Sequence, residues 1–218
     1  MKLQLNRVAH PVTVLGPGRR LGLWVQGCHI RCAGCASVDT WDPAGGRPVD
    51  TEELAEDLAS TIVKNRLTGL TITGGEPSEQ DAALTDLVTR LRSALDERPE
   101  WAGDLDVLVF TGVAARTAAR RLPGLFPVAD AAVCGPYRRE RPSDRPLIAT
   151  ENQELVLLSD LGRERYALLD DGPRVLQARV DATDITLIGL PGPGDLERLE
   201  AALKERGVQM RGRSWSST

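Results

Sequence analysis

The sequence predicts an α/β protein, with short buried strands alternating with amphipathic helices. Two runs, Thr68-Gly-Leu-Thr-Ile-Thr73 and Leu105-Asp-Val-Leu-Val-Phe110, read as short buried strands. The stretches around them repeat apolar residues at helical spacing. Such alternation predicts parallel strands joined by crossover helices, and a more antiparallel region follows toward the end of the chain.

Residues 21–26 form the first predicted strand. Thr51 is the predicted N-cap of the first helix, with Glu52 and Glu53 well placed in its first turn and Leu54, Leu58 and Ile62 on one face. Ser78 is the predicted cap of a second helix, whose apolar stripe is Leu84, Leu87, Val88, Leu91 and Leu95. A third helix, rich in Ala and Arg, is expected over residues 114–122, and residues 129–133 complete the parallel strands. Residues 136–145 are polar, arginine-rich and bracketed by prolines, so an ordered active-site loop or a flexible lid is expected there. Strands are predicted over 154–159, 166–169, 175–180 and 185–190. A last helix over 194–206 turns Leu196, Leu199 and Leu203 inward and stops at Gly207. The polar tail 211–218 is expected to be loose.

The 218 residues allow one sizeable core or two small ones. Residues 1–160 are read as the core with its N-terminal cysteine loop, and 161–218 as a C-terminal extension packed on it. A net charge of −4 with no basic run advertises no nucleic-acid or anionic-membrane surface. The first residues lack an apolar export signal, and no stretch approaches the roughly 18 apolar residues of a membrane span. A cytoplasmic protein is expected.

Of four cysteines, three crowd into Cys28-x3-Cys32-x2-Cys35, while Cys134 stands alone. Clustered cysteines without an export signal point to metal or redox chemistry rather than disulfides. A structural zinc normally takes four protein ligands, and a [4Fe–4S] cluster normally takes four cysteines. Three thiolates would leave one iron open to chelation by an external amine and carboxylate. A Cys3His zinc site is the alternative; His29, adjacent to Cys28, cannot easily fold onto the same ion, and His10 lies on the N-terminal segment.

Thr73-Gly-Gly-Glu-Pro77 closes the next predicted strand. Two glycines permit close backbone approach, and Glu76 can accept hydrogen bonds from an ammonium group. The carboxyl ends of parallel strands are where such folds bind ligands. An ordinary strand-to-helix turn is the alternative.

Together, Cys28-x3-Cys32-x2-Cys35 and Gly74-Gly75-Glu76-Pro77 resemble the radical S-adenosylmethionine (SAM) superfamily. Gly16-Pro-Gly-Arg-Arg20, Leu23-Trp-Val-Gln-Gly-Cys28 and Asp39-Thr-Trp-Asp42 narrow the resemblance to glycyl radical enzyme activating proteins. It is strongest to the anaerobic ribonucleotide reductase activating protein group, whose motif order Phe110-Thr-Gly112, Cys134-Gly-Pro-Tyr137 and Glu151-Asn-Gln-Glu154 also follow. The similarity runs from about Gly16 to Gln153.

The resemblance implies a partial (β/α) barrel with a small mixed α+β extension. It also implies one [4Fe–4S] cluster on Cys28, Cys32 and Cys35, SAM on the open iron, and a flavodoxin or ferredoxin as one-electron donor. Gly34 and Ala36 would meet the adenine, Gly74, Gly75 and Glu76 the methionyl amine, and Thr111 the ribose or carboxylate. Three positions need comment. Gly34 precedes the third cysteine where many radical SAM proteins carry an aromatic residue, although glycine suits the activating subgroup. Ser37 replaces that subgroup's usual Asn, and Cys134 its usual Asp. Cys134 reads as a hydrogen-atom donor or redox partner, or as a small apolar residue ending a buried strand. Arg138, Arg139, Arg141 and Arg145 could grip an anion or simply be solvated.

Three functions follow as expectations. The chain installs a glycyl radical on a partner protein, or it acts alone on a small molecule or peptide in a biosynthetic pathway. The third is a zinc-stabilised binding module without catalysis.

Overall fold

A computed structural model describes residues 1–167, 169, 174–180 and 185–208. Its centre is a seven-stranded sheet in the order β3-β1-β2-β4-β5-β6-β7. The strands β2 (Arg20–Val25), β4 (Gly69–Gly74), β5 (Asp106–Thr111) and β6 (Ala131–Cys134) are mutually parallel. β1 (Lys2–Val12), β3 (Arg47–Asp50) and β7 (Glu154–Leu157) flank them antiparallel. The α/β expectation therefore holds, as a mixed sheet with a parallel centre.

Alternation along the strands sorts side chains onto two faces. Val107, Val109, Ala132 and Cys134 share one core with α1 (Thr51–Asn65) and α2 (Asp81–Asp96). Leu108, Ala131 and Val133 point the other way, toward Leu147, Ile148 and Tyr166. The predicted stripes bury as expected, Leu54, Leu58 and Ile62 on α1 and Leu84, Leu87, Val88, Leu91 and Leu95 on α2. α3 (Ala115–Arg121) and α4 (Leu125–Val128) complete the crossover to β6.

The caps differ from expectation. Asp50, not Thr51, caps α1, its carboxylate accepting from the Glu52 amide at 3.0 Å. Both types cap well, but β3 ends at Asp50 and leaves that residue extended, the conformation an N-cap needs. Ser78 lies inside a 3-10 turn over Pro77–Glu79 that Glu76 caps, and α2 starts only at Asp81. The strand expected over 166–169 is not formed at its start: Tyr166 is the last residue of α5 (Asp160–Tyr166), which Ser159 caps. Residue 168 and the tail 211–218 lie outside the described residues. β1 and β3 were not foreseen.

At the amino ends of the parallel strands, Arg20, Gly69 and Asp106 occupy one register row. Gly69 has no side chain, so Arg20 reaches across it to Asp106. A Cβ there would lie 2.2 Å from Arg20 Nη1. Arg165 and the Tyr166 hydroxyl also reach Asp106, at 2.9 and 2.8 Å, and fasten α5 to the sheet.

β8 (Gln177–Val180) and β9 (Ile185–Ile188) pair with each other antiparallel, apart from the main sheet. In α6 (Asp195–Glu205), Leu196, Leu199 and Leu203 are only half-buried. Among the described residues, no helix is long and apolar enough to cross a membrane.

Candidate active site

A cavity of about 710 Å³ opens at the carboxyl ends of the parallel strands. The loop after β2 brings Cys28, Cys32, Gly34, Cys35 and Ala36 to its wall. The end of β4 brings Gly74, Gly75 and Glu76, and the end of β5 brings Thr111 and Gly112. Every site residue expected from the sequence thus borders one space.

The cysteine loop is staked at both ends. The amides of Gly27 and Cys28 donate to the carbonyls of Thr40 and Trp41, at 2.8 and 3.1 Å. The buried Gln26 side chain donates to the carbonyls of Asp39 and Asp42, at 3.2 and 2.7 Å. Asp39 pairs with Arg7 at 2.6 Å, and that guanidinium lies 4.9 Å from the centroid of the Trp24 ring. The Asp39-Thr-Trp-Asp42 run therefore closes the loop.

The thiols of Cys28, Cys32 and Cys35 are half-buried, and burial pushes each above its ordinary pKa. Donors aimed at the sulfurs pull the other way. The Ile30 and Arg31 amides face Cys28, the Tyr137 amide faces Cys32, and the Ser37 amide and Trp41 indole face Cys35. Sulfurs flanked by N–H donors in a partly shielded loop suit thiolate ligands of an iron–sulfur cluster. His29 turns away, its ring nitrogen 2.8 Å from Glu79. Among the described residues, no three His, Cys, Asp or Glu side chains gather tightly enough for a single metal ion.

The glycines of the Gly74-Gly75 pair serve backbone packing as well as the cavity. A Cβ on Gly75 would lie 2.3 Å from the Gly27 carbonyl oxygen, and Gly74 has φ +96° with a Cβ position 2.8 Å from the Val25 carbonyl oxygen. The Glu76 amide donates to that Gly27 carbonyl at 2.8 Å. The β4 turn is thus seated directly against the start of the cysteine loop. The buried Glu76 carboxylate accepts from Thr111 Oγ1 (2.6 Å), the Gly112 amide (2.7 Å) and the Ser78 amide (2.9 Å). Roughly four lone-pair directions are available to a carboxylate, so one remains for a ligand.

Cys134 does not border the cavity. It faces the helix-side core, and burial pushes its thiol up to about 12. The apolar reading of this residue is the one the structure bears out.

Part of the cavity's remaining wall comes from the 136–145 segment, which the sequence marks as an active-site loop or a lid. Tyr137 lies beside Gly34, whose Cβ position is also 3.2 Å from Arg139 Cδ. Gln153 shapes the 135–150 loop, accepting from the Ala149 and Thr150 amides and donating to the Gly135 carbonyl. Leu176 and residues 185–191 close the far side. The Glu151-Asn-Gln-Glu154 motif was a signal for Gln153; nothing local marked 185–191.

Residues 14–156 match the 4Fe-4S single cluster domain family. The chain belongs to this family. Among its relatives is the anaerobic ribonucleoside-triphosphate reductase-activating protein of Enterobacteria phage T4, 28% identical over 144 residues, which are 65% of this chain and 86% of that protein. The protein of the same name from Vibrio cholerae is 31% identical over 138 residues, 61% of this chain and 83% of the relative. The pyruvate formate-lyase-activating enzyme of Clostridium pasteurianum is 37% identical over 75 residues, 34% of this chain and 32% of the relative. A 4Fe-4S single cluster domain protein is an iron–sulfur protein, and the zinc-module reading is set aside.

Proposed function

We propose that this chain is a radical SAM activating enzyme that installs a glycyl radical on a partner protein. The observation that carries the reading is one cavity bordered by the three-cysteine loop, the Gly74-Gly75-Glu76 turn and Thr111. The names of the relatives support a protein substrate.

Cys28, Cys32 and Cys35 would hold the [4Fe–4S] cluster, leaving one iron for SAM. When bound, that pair supplies a 5′-deoxyadenosyl radical, made by one-electron reductive cleavage of SAM, that takes a hydrogen atom from the substrate. The chain's residues bind and orient. The remaining acceptor direction of Glu76 and the backbone of Gly74 and Gly75 would take the methionyl ammonium. Thr111 and the Gly112 amide would hold the Glu76 carboxylate in place for it. Gly34 and Ala36, exposed along the cavity rim, would leave room for the adenine. The open, parallel-centred sheet is compatible with a partial (β/α) barrel of the radical SAM type, with residues 1–160 as core and 161–218 as extension. A cytoplasmic flavodoxin or ferredoxin would supply the electron.

The test is anaerobic. Reconstituted protein, SAM, a reductant and the glycyl radical enzymes encoded in the same genome are mixed, and EPR spectra are recorded. A glycyl doublet on one partner is expected. SAM consumption with no doublet on any of them would transfer the reading to a small-molecule or peptide substrate.

A further inference from the structure

The cavity face of the sheet is covered by the chain's own C-terminal segment. Leu176, Ile185, Leu187 and Leu190 line the cavity, and Ile188 is buried against Ala9, Val12, Leu15 and Trp24. Side-chain hydrogen bonds from Gln177, Arg174 and Arg179 tie the segment to the rest of the chain, Arg179 donating to the His10 carbonyl at 3.5 Å. The Gln177 amide donates to the Pro11 carbonyl at 2.8 Å and accepts from the Thr13 amide at 3.1 Å. The Arg174 guanidinium donates to the carbonyls of Ser143 and Ile148. Among the described residues, β8 and β9 pair only with each other, α6 fully buries no residue, and Val180 is 71% exposed. An isolated two-stranded pair is marginal in water, and segments with few buried contacts open at the low end of local stability.

Size adds a second argument. A cavity of about 710 Å³ lies within the range that one drug-sized ligand fills. SAM is such a ligand, and Leu176 and residues 185–191 bound the space beside it. A protein substrate that approaches over the face formed by Ala9, Val12, Leu15 and Trp24 meets this segment first.

We infer that residues 174–180 and 185–208 form a displaceable roof. It shields the site in the free protein and gives way to an apolar, glycine-bearing loop of the partner, which docks on the face formed by Ala9, Val12, Leu15 and Trp24. The inference rests on the protein-substrate reading above. A roof that competes with the partner lowers apparent affinity by the fraction of closed molecules, so loosening it tightens partner binding. A merely structural role would do the reverse.

The experiment compares cluster-loaded wild type with Gln177→Ala and Arg174→Ala, two single anchors outside the cavity wall. The affinity of the partner is measured anaerobically. In parallel, the rate at which a water-soluble chelator strips iron is followed without partner. The inference expects partner binding tightened about threefold to tenfold and iron release accelerated severalfold in both variants. Unchanged or weaker partner binding, or unchanged iron release, overturns it. Faster iron release in the variants, with no partner bound even by wild type, would uphold the shield and defeat the glycyl radical reading instead.

Discussion

The Thr111 hydroxyl donates to Glu76 Oε1 at 2.6 Å, tying the carboxyl end of β5 to that of β4 beneath the cavity. The same hydroxyl accepts from the Val113 amide at 3.1 Å, and its one proton is committed to the carboxylate. Thr111→Val keeps the shape and removes the donor. A hydrogen bond to a charged group contributes about 1.5 kcal/mol or more, and SAM affinity should fall roughly tenfold. Equilibrium binding of SAM to the cluster-loaded variant measures this; wild-type affinity would show that Glu76 needs no such support.

Arg20 and Asp106, both fully buried, meet at 2.8 Å at the opposite end of the strands. Arg20→Met strands the carboxylate with Arg165 and Tyr166 as its remaining partners. Breaking a buried pair costs about 3–5 kcal/mol, and retention of those partners points to the lower figure. Denaturant unfolding should show the loss. Per folded molecule, SAM cleavage should stay at wild-type level, because the network is remote from the cavity.

The Trp41 indole faces Cys35 and opposes the burial that raises its thiol's pKa. A donor to a ligating sulfur favours the reduced, more negative cluster, so Trp41→Phe should lower the reduction potential. An EPR-monitored redox titration reads the shift. A potential that stays or rises would mean the indole does not face the sulfur in the loaded protein.

Cys134 yields a pH prediction. Its folded pKa of about 12 lies above the roughly 8.5 of a free thiol, so the folded state binds the proton more tightly. That contribution is complete below the free-thiol value and is lost as pH climbs through the folded value. Cys134→Ala should therefore lose less stability than wild type between about pH 8.5 and 12. Thermal melts across that range decide it, and SAM cleavage should survive the substitution.

The helices and the parallel strands were legible because their periodicities are local: Leu54, Leu58 and Ile62 repeat at helical spacing, and Leu105 to Phe110 is a compact apolar run. The cysteine loop and the Gly74-Gly75-Glu76 turn were legible because both are contiguous. β1 was missed because Asn6, Arg7, His10 and Pro11 interrupt its apolar residues, and its strand character comes from pairing with β2 and β3. β3 has four residues, one of them Pro48, and pairs with β1 at the edge of the sheet. Tyr166 looks like a strand residue by type, yet Ser159 caps a helix before it and Asp106 holds its hydroxyl. The roof was hidden because its partners, Pro11 and Thr13, lie more than 160 residues away in the chain.

The most direct measurement of the central claim is SAM cleavage by the reconstituted protein without oxygen. With dithionite, wild type and Cys134→Ala should convert SAM to methionine and 5′-deoxyadenosine, one for one. Cys28→Ala, Cys32→Ala and Cys35→Ala should each bind no intact cluster and form no 5′-deoxyadenosine. A brown wild-type protein that leaves SAM intact, or a cysteine variant that still cleaves it, would contradict the assignment.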